Sequence, residues 1–80
     1  MYALSDLPIN KECIIKDIID PDLKQRLLEM GCIPGEKIKI TRSAPFNGPI
    51  AVLISNFTLS LRKEDAKNIQ VDFKKIEIND

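Results

Sequence analysis

Two cysteines are the residues best able to hold a metal ion in this chain. Their thiolates can bind soft or borderline transition metals, but a closed structural site takes about four ligands. The chain contains no histidine, and Cys13 and Cys32 stand far apart rather than in a Cys-x-x-Cys pair. Each cysteine is followed by an isoleucine, and free cysteine is among the most buried residue types. The pattern therefore predicts two buried, unreactive thiols and no metal-ligating residues.

The sequence also lacks the residues of a catalytic or nucleotide-binding site. General acid–base catalysis near neutral pH usually relies on histidine, and no nucleophile–base pair is recognisable. There is no glycine-rich phosphate-binding loop. Lys+Arg 12 balance Asp+Glu 12 and aromatic residues make up 5%, whereas nucleic-acid-binding barrels combine aromatics with a basic groove. We therefore predict a non-enzymatic protein with no catalytic residues, no cofactor and no nucleic-acid partner.

One loop has the composition of a protein-binding surface. Phe46 lies within residues 43–49, between Pro45 and Pro49, where no strand pattern buries it. Two interpretations stay open: the ring folds back as a lid over the core, because aromatics bury a large area, or it projects as an anchor for a partner. The prolines stiffen the loop and so reduce the entropy lost on docking. Three arginines could supply polar contacts around Phe46: Arg26, Arg42 and Arg62.

Residues 20–31 carry the signals of one amphipathic helix. Asp20 can cap the first turn, and Pro21 suits the first helical position. Apolar residues at helical spacing predict one buried stripe, made of Leu23, Leu27, Leu28 and Met30. Gly31 can adopt the left-handed conformation that ends a helix. The sequence therefore predicts a helix of about three turns.

The remaining segments have the alternation and the β-branched composition of strands. Predicted strands cover residues 12–19, 36–42, 50–55, 57–61 and 68–71, with a short edge strand or lead-in at 2–7 and one polar helical turn at 62–66. A hairpin turns about Ser55 and Asn56, and Asn56 would take the positive φ that a tight turn requires. Its inward residues would be Phe57, Leu59 and Leu61. Several short strands with one inserted α-helix predict a mainly β fold, a small closed or half-closed barrel.

Length and composition limit the class of protein further. The 80 residues suit a single domain, residues 1–80, and 44% hydrophobic with 30% charged residues is typical of globular proteins. The longest apolar stretch, residues 50–54, is far below the roughly 20 residues of a membrane helix. The N-terminus lacks the basic start and apolar core of a signal peptide. We therefore expect a cytoplasmic protein without direct membrane insertion.

Four residues at chain reversals have turn chemistry: Gly31, Pro34, Gly35 and Gly48. They belong to a series of motifs, namely Arg26-Leu27-x-x-x-Gly31-x-x-Pro34-Gly35, then Ala44-Pro45 with Gly48-Pro49-Ile50, then Leu59-Ser60-Leu61-Arg62, then Ala66-x-x-Ile69-x-Val71. In this order and at these separations the motifs resemble the FeoA family over about residues 4–71. Residues 72–80 then form a C-terminal extension outside the resemblance.

The resemblance implies an SH3-like small β-barrel and a role in bacterial ferrous iron uptake. FeoA proteins are small cytosolic proteins that work with FeoB, a membrane permease with a G-protein domain, as adaptors or regulators without catalytic activity. The family commonly has glycine near Asn10 or Lys11 and near Asn56, where this chain has other residues. Asparagine is the best substitute where a left-handed conformation is needed. The resemblance also includes an arginine at Arg62.

Two functional hypotheses follow. The leading one is a cytosolic adaptor or regulator that acts on the G-protein part of a FeoB-like ferrous iron permease and reaches the inner membrane only through that partner. The alternative is a transition-metal-responsive regulatory domain, because FeoA is similar to the C-terminal domain of iron-dependent repressors. The lack of a helix-turn-helix segment argues against a self-sufficient repressor. Weak self-association, the docking face and the direction of regulation stay open.

Overall fold

Six antiparallel strands form one sheet in the computed structural model, which describes residues 1–73. In chain order the strands are β1 (Tyr2–Ala3), β2 (Cys13–Ile18), β3 (Lys37–Ser43), β4 (Ile50–Ile54), β5 (Phe57–Leu61) and β6 (Ile69–Asp72). The helices are α1 (Pro21–Glu29), α2 (Lys63–Lys67) and a 3-10 helix at Leu4–Asp6. The prediction of a mainly β fold with one inserted α-helix is confirmed, and α2 is the predicted polar helical turn.

The strand order in the sheet is β1-β6-β2-β3-β4-β5. Register shifts interrupt the β2–β6 pairing between Ile15 and Asp17 and the β3–β4 pairing between Ile40 and Arg42. Such irregularities bend a strand and increase its twist, which lets one sheet curl around its own core. β1 and β5 are the two edges of the sheet. The part of the predicted extension after Phe73 lies outside the described residues. The Phe73 ring stacks on the Tyr2 ring, with 4.9 Å between ring centroids.

One hydrophobic cluster fills the inside of the curved sheet. The strands supply most of it, α1 supplies Leu23 and Leu27, and the 3-10 helix supplies Leu4. Cys13 and Cys32 are fully buried free thiols in this cluster, as the sequence predicts. Of the predicted inward residues of β5, Leu61 is buried, and Phe57 and Leu59 are partly buried and pack against the cluster.

The ends of α1 match the local signals, but its buried stripe is narrower than predicted. The Asp22 N–H donates to Asp20 Oδ1 at 3.0 Å, and Pro21 is the first helical residue. Leu28 and Met30 are wrong as core residues, because they are 52% and 48% exposed. Leu28 lies about 100° around the helix from Leu27, and Met30 lies beyond the last helical residue.

Glycine is required at three of the predicted turn positions. Gly31 has φ +84° after α1, and Gly35 has φ +98° in the corner that leads into β3, where its N–H donates to the Ile15 carbonyl at 2.8 Å. Gly48 is needed for space, since a Cβ there would lie 2.8 Å from Ala44 Cβ. All three would therefore be strained by a larger residue.

The β4–β5 hairpin differs from the prediction in one residue. Ser55, with φ +52°, takes the left-handed conformation in place of Asn56. A two-residue turn with positive φ only at its first central residue is the type II′ pattern. The Ser55 hydroxyl hydrogen-bonds to a Glu36 carboxylate oxygen, and its N–H donates to the Lys37 carbonyl at 3.3 Å. These two bonds stabilise Ser55 in the left-handed conformation.

Candidate partner-binding surface

The proline-containing loop between β3 and β4 is a tight turn. The Ala44 N–H donates to the Pro49 carbonyl at 3.2 Å, and the Gly48 N–H donates to the Pro45 carbonyl at 3.1 Å. The two residues between Pro45 and Gly48 have positive φ: Phe46 +57° and Asn47 +58°. Positive φ at both central residues is the type I′ arrangement. The loop therefore has a defined shape fixed by its own backbone.

Phe46 stands at the tip of this turn and points into solvent. Its side chain is 99% exposed, so the ring does not cover the core, and the anchor interpretation fits the structure better than the lid. A left-handed conformation costs an ordinary L-residue roughly 1–2 kcal/mol. Backbone strain of this kind is concentrated at binding sites and switch regions. Exposure and strain together mark Phe46 as a candidate contact residue.

Arg26 and Arg62 meet at a buried carboxylate. Asp65, on α2, is only 7% exposed and accepts two hydrogen bonds from Arg62, each at 3.3 Å. Arg26 of α1 has its Nη2 at 4.0 Å from Asp65 Oδ2. The hydrogen bonds that Arg62 donates to Asp65 raise the pKa of the Arg62 guanidinium. Asp65 therefore fixes the positions of two arginines that are distant in sequence.

The sheet brings the loop and two of the arginines to one end. Ile50, the first residue of β4, pairs with Ser43 of β3 and with Leu61 of β5. Pro49 precedes the first residue of β4 and Arg62 follows the last residue of β5, so the two lie at the same end of the sheet. Arg42 lies on β3, one residue before Ser43 at that end. Arg42 is exposed. At 99% exposure the Phe46 ring has no arginine of residues 1–73 packed against it. The predicted loop, Arg42 and Arg62 thus share one end of the sheet without forming a packed cluster, and Arg26 lies on α1.

Sequence reasoning missed Asp65. The one local signal is its place three residues after Arg62 in the first turn of α2, because residues three apart are neighbours on a helix. The contact with Arg26 has no local signal, since it joins α1 to α2 across the fold.

The two thiols have little tendency to ionise. Burial, and secondarily the charge of Glu36, raises the pKa of Cys32 from 9.0 to about 11. Burial also raises the pKa of Cys13, whose Sγ–H donates to the Lys11 carbonyl at 3.2 Å. Within residues 1–73, no three His, Cys, Asp or Glu side chains are grouped as metal ligands would be. In the same residues, no helix has the length and apolar character of a membrane span.

The family model for the FeoA domain matches residues 2–72, which include all the motifs and all the turns described above. The chain belongs to the FeoA family. This family is associated with ferrous iron transport and is not a known enzyme family.

A sequence relative connects the family to a transporter. Over 49 residues the chain is 39% identical to a fusion protein from Porphyromonas gingivalis that joins Fe(2+) transport protein A to the Fe(2+) transporter FeoB. The match covers 61% of this chain and only 6% of the fusion protein.

Solved structures support the same fold. A FeoA-like protein from Clostridium acetobutylicum is 28% identical with a TM-score of 0.82, covering 99% of this chain and 93% of that one. Zinc-complexed FeoA from Stenotrophomonas maltophilia, described as a prokaryotic SH3 domain protein, is 26% identical with a TM-score of 0.78, covering 90% and 91%. The predicted SH3-like fold is thereby confirmed.

The fold is also shared with metal-dependent repressors. A manganese-dependent transcriptional repressor is 20% identical with a TM-score of 0.74, over 84% of this chain and 38% of the repressor. At this identity the likeness concerns the fold alone.

Proposed function

We propose that this FeoA-family chain is a non-enzymatic cytosolic adaptor that acts on the G-protein part of a FeoB-like ferrous iron permease. The observation that carries the proposal is the fusion relative, in which the corresponding segment and FeoB share one polypeptide. Joining two modules raises their effective concentration to the millimolar range for short linkers. A fusion is therefore favoured where the separate proteins work by binding each other.

The turn at residues 45–48 supplies the centre of the docking surface in this proposal. Interface energy is concentrated in a few residues, often aromatic or arginine. Phe46 is fully exposed on a turn closed by the 3.1 Å bond from Gly48 to Pro45. The turn loses little entropy on docking because its shape is already set. Pro45 and Pro49 flank Phe46 in the loop, Arg42 lies on β3 two residues before the loop proper, and Arg62 with Arg26 supplies the more distant polar contacts.

The test is retention of the permease by immobilised chain from detergent-solubilised membranes of the parent organism. We expect Phe46→Ala to reduce retention at least tenfold, because hot-spot truncations cost more than about 2 kcal/mol. The matched control is Ile19→Ala, which truncates another apolar side chain, 54% exposed, outside the loop. Ile19→Ala should retain the permease as the parent chain does.

Folding must be followed in the same samples. Phe46→Ala should melt within about 2 °C of the parent, because exposed substitutions usually change stability by less than 0.5 kcal/mol. Permease retention by folded Phe46→Ala at the parent level would place the docking face elsewhere. Absence of the permease from all retained material would refute the adaptor proposal itself.

A further inference from the structure

Within residues 1–73, the outer edge of β5 is unpaired and has few of the usual protections against pairing with another chain. Native edge strands are commonly shielded by shortness, by charged residues or proline, or by a bulge. The opposite edge, β1, has only two residues. β5 has five residues, contains no charged residue or proline, and pairs with β4 in unbroken register. β5 therefore presents a regular edge to which a further strand could add.

Two residues of β5 direct their backbone groups to this edge. In an antiparallel pair, alternate residues bond across the pair and the others point away. Ile54 and Phe57 close the two-residue hairpin, so Thr58 and Ser60 are the residues that point away. Within residues 1–73, neither backbone finds a hydrogen-bonding partner in a turn, loop or cap. Their spacing is that of the bonding residues of an added strand.

A cleft of about 260 Å³ lies between this edge and α1. One wall is formed by the consecutive residues 59–62, and the other by Leu23 and Leu27 on one face of α1 together with Met30 just after its last turn. Successive side chains of a strand point to opposite faces of the sheet. A cleft on one face would therefore be lined by alternate residues of β5, so lining by consecutive residues indicates that the cleft faces the edge of β5. An extended segment on β5 would lay alternate side chains against this wall, where Met30 is the exposed apolar residue because Leu23 and Leu27 are buried.

The charges at the cleft favour an anionic segment. Its charged lining residues are Arg26, Arg62 and Asp65, which amounts to two positive charges and one buried negative charge. Asp65 occupies only part of the two guanidinium groups, and both arginine side chains are more than 60% exposed. Arginine binds carboxylates through paired hydrogen bonds. A carboxylate beside an added strand would therefore find donors on both walls.

We propose that the cleft between α1 and β5 binds an extended acidic segment of a protein partner, which adds a strand to β5 and places a carboxylate between Arg26 and Arg62. This site lies apart from the Phe46 turn, shares Arg26 and Arg62 with the outer part of the docking surface proposed above, and does not depend on the identity of the permease. Strand addition provides affinity through backbone bonds, and the side-chain contacts provide specificity.

The first test uses nuclear magnetic resonance with a capped hexapeptide of alternating valine and glutamate as the probe. We expect saturable shifts at the cleft and slower hydrogen exchange of the Thr58 and Ser60 amides, because both would donate to the peptide. A peptide with glutamine in place of glutamate should bind about tenfold more weakly, since charge-assisted bonds to arginine are lost. Unchanged exchange at Thr58 and Ser60 with saturating peptide would overturn the proposal.

Three variants separate the edge from general charge attraction. Ser60→Pro removes an outward N–H and keeps the bonds to β4, as proline is tolerated at such edge positions, so binding should be lost. Arg26→Gln should weaken binding about tenfold. Lys24→Gln makes the same charge change on α1 at a side chain that pairs with Asp17 instead, at 3.4 Å, and should bind normally. Equal weakening of peptide binding by Lys24→Gln and Arg26→Gln would show that the arginine contributes only long-range charge attraction, which would overturn the proposal.

A second copy of the chain is the competing occupant. Sedimentation of the parent chain without peptide should show no dimer that depends on β5. A concentration-dependent dimer abolished by Ser60→Pro would assign the edge to self-association and overturn the proposal. Where Ser60→Pro does not fold, amide exchange of Thr58 and Ser60 in the parent at increasing concentration gives the same answer.

Discussion

Packing determines the chemistry of the two cysteines. The thiolate is the form that attacks electrophiles and binds metals, and burial in the core keeps both residues as thiols at neutral pH. The predicted burial is correct because free cysteine is among the most buried residue types, whereas the isoleucine after Cys32 is itself 36% exposed. Burial is the larger cause of the raised pKa of Cys32, and the charge of Glu36 adds to it.

The raised pKa of Cys32 predicts a stability loss at alkaline pH. The unfolded thiol ionises near 9.0 and the folded one near 11, so between these values the unfolded state binds fewer protons and the free energy of unfolding falls as pH rises. Two pKa units correspond to roughly 2–3 kcal/mol. Urea unfolding of the parent should therefore lose stability more steeply between about pH 9 and 11 than that of Cys32→Ala. Parallel pH profiles of the two chains would contradict the assignment.

Only one of the two arginine contacts of Asp65 could be predicted from local sequence. The Arg62–Asp65 pair is local and could have been found from their spacing on one helical turn. The approach of Arg26 to Asp65 at 4.0 Å exists only because α1 packs near α2. In the same way, the sequence identifies Phe46 as notable but does not decide whether its ring points to the core or to solvent. The backbone conformation of the turn directs the ring to solvent.

At the scale of elements, local signals predicted the helix ends better than the helix face. Asp20, Pro21 and Gly31 act on neighbouring backbone groups, so their roles follow from sequence alone. Which apolar residues of α1 are buried depends on the curvature of the sheet beneath it, and that surface accommodates Leu23 and Leu27 but not Leu28. The hairpin turn differs at Ser55 for a similar reason, because its bonds reach Lys37, the first residue of β3, and Glu36 just before it.

The end of α1 allows a direct test of backbone conformation. Gly31→Val should lower the free energy of unfolding by about 1–2 kcal/mol or more, because a β-branched residue is strained at positive φ. Space is not the cause, since a Cβ at Gly31 would meet no atom within 4 Å. Thermal unfolding should show a loss of several degrees for a domain of this size, about 4–8 °C per kcal/mol.

Gly31→Asn is the matched control for this prediction. Asparagine adds a side chain of similar size to valine but tolerates the left-handed region, so it should lose clearly less stability. Equal losses in the two variants would show that the added side chain, rather than φ, is responsible. An unchanged melting temperature in Gly31→Val would contradict the cap geometry.

At the scale of the whole molecule, strand existence was predictable and strand order was not. Periodicity identifies β2 to β6 because alternation is a local property. The placement of β6 between β1 and β2 rests on Val71, which pairs with Tyr2 on one side and Ile15 on the other. Pairing between strands so distant in sequence cannot be predicted from local pattern. The SH3-like fold was predicted instead from the motifs that resemble FeoA.

Within residues 1–73, few side chains are free to bind a metal. The chain has no histidine, and its two thiols are buried. Several carboxylates already have partners: Asp65 with two arginines, Asp17 with Lys24, and Glu12 with Lys37. Iron(II) sites of high affinity need several convergent nitrogen, sulfur or oxygen ligands.

We therefore predict that the isolated chain binds ferrous ion only weakly. Anaerobic calorimetry with the 80-residue chain should show no stoichiometric site of about micromolar affinity or tighter, which would correspond to roughly −8 kcal/mol. The same titration of Cys13→Ala and Cys32→Ala should be indistinguishable from that of the parent, because a buried thiol with a raised pKa does not present a thiolate. A tight site in the parent that either substitution removes would contradict the adaptor proposal and favour a metal-responsive role. A tight site that survives both substitutions would instead place the ligands among the carboxylates.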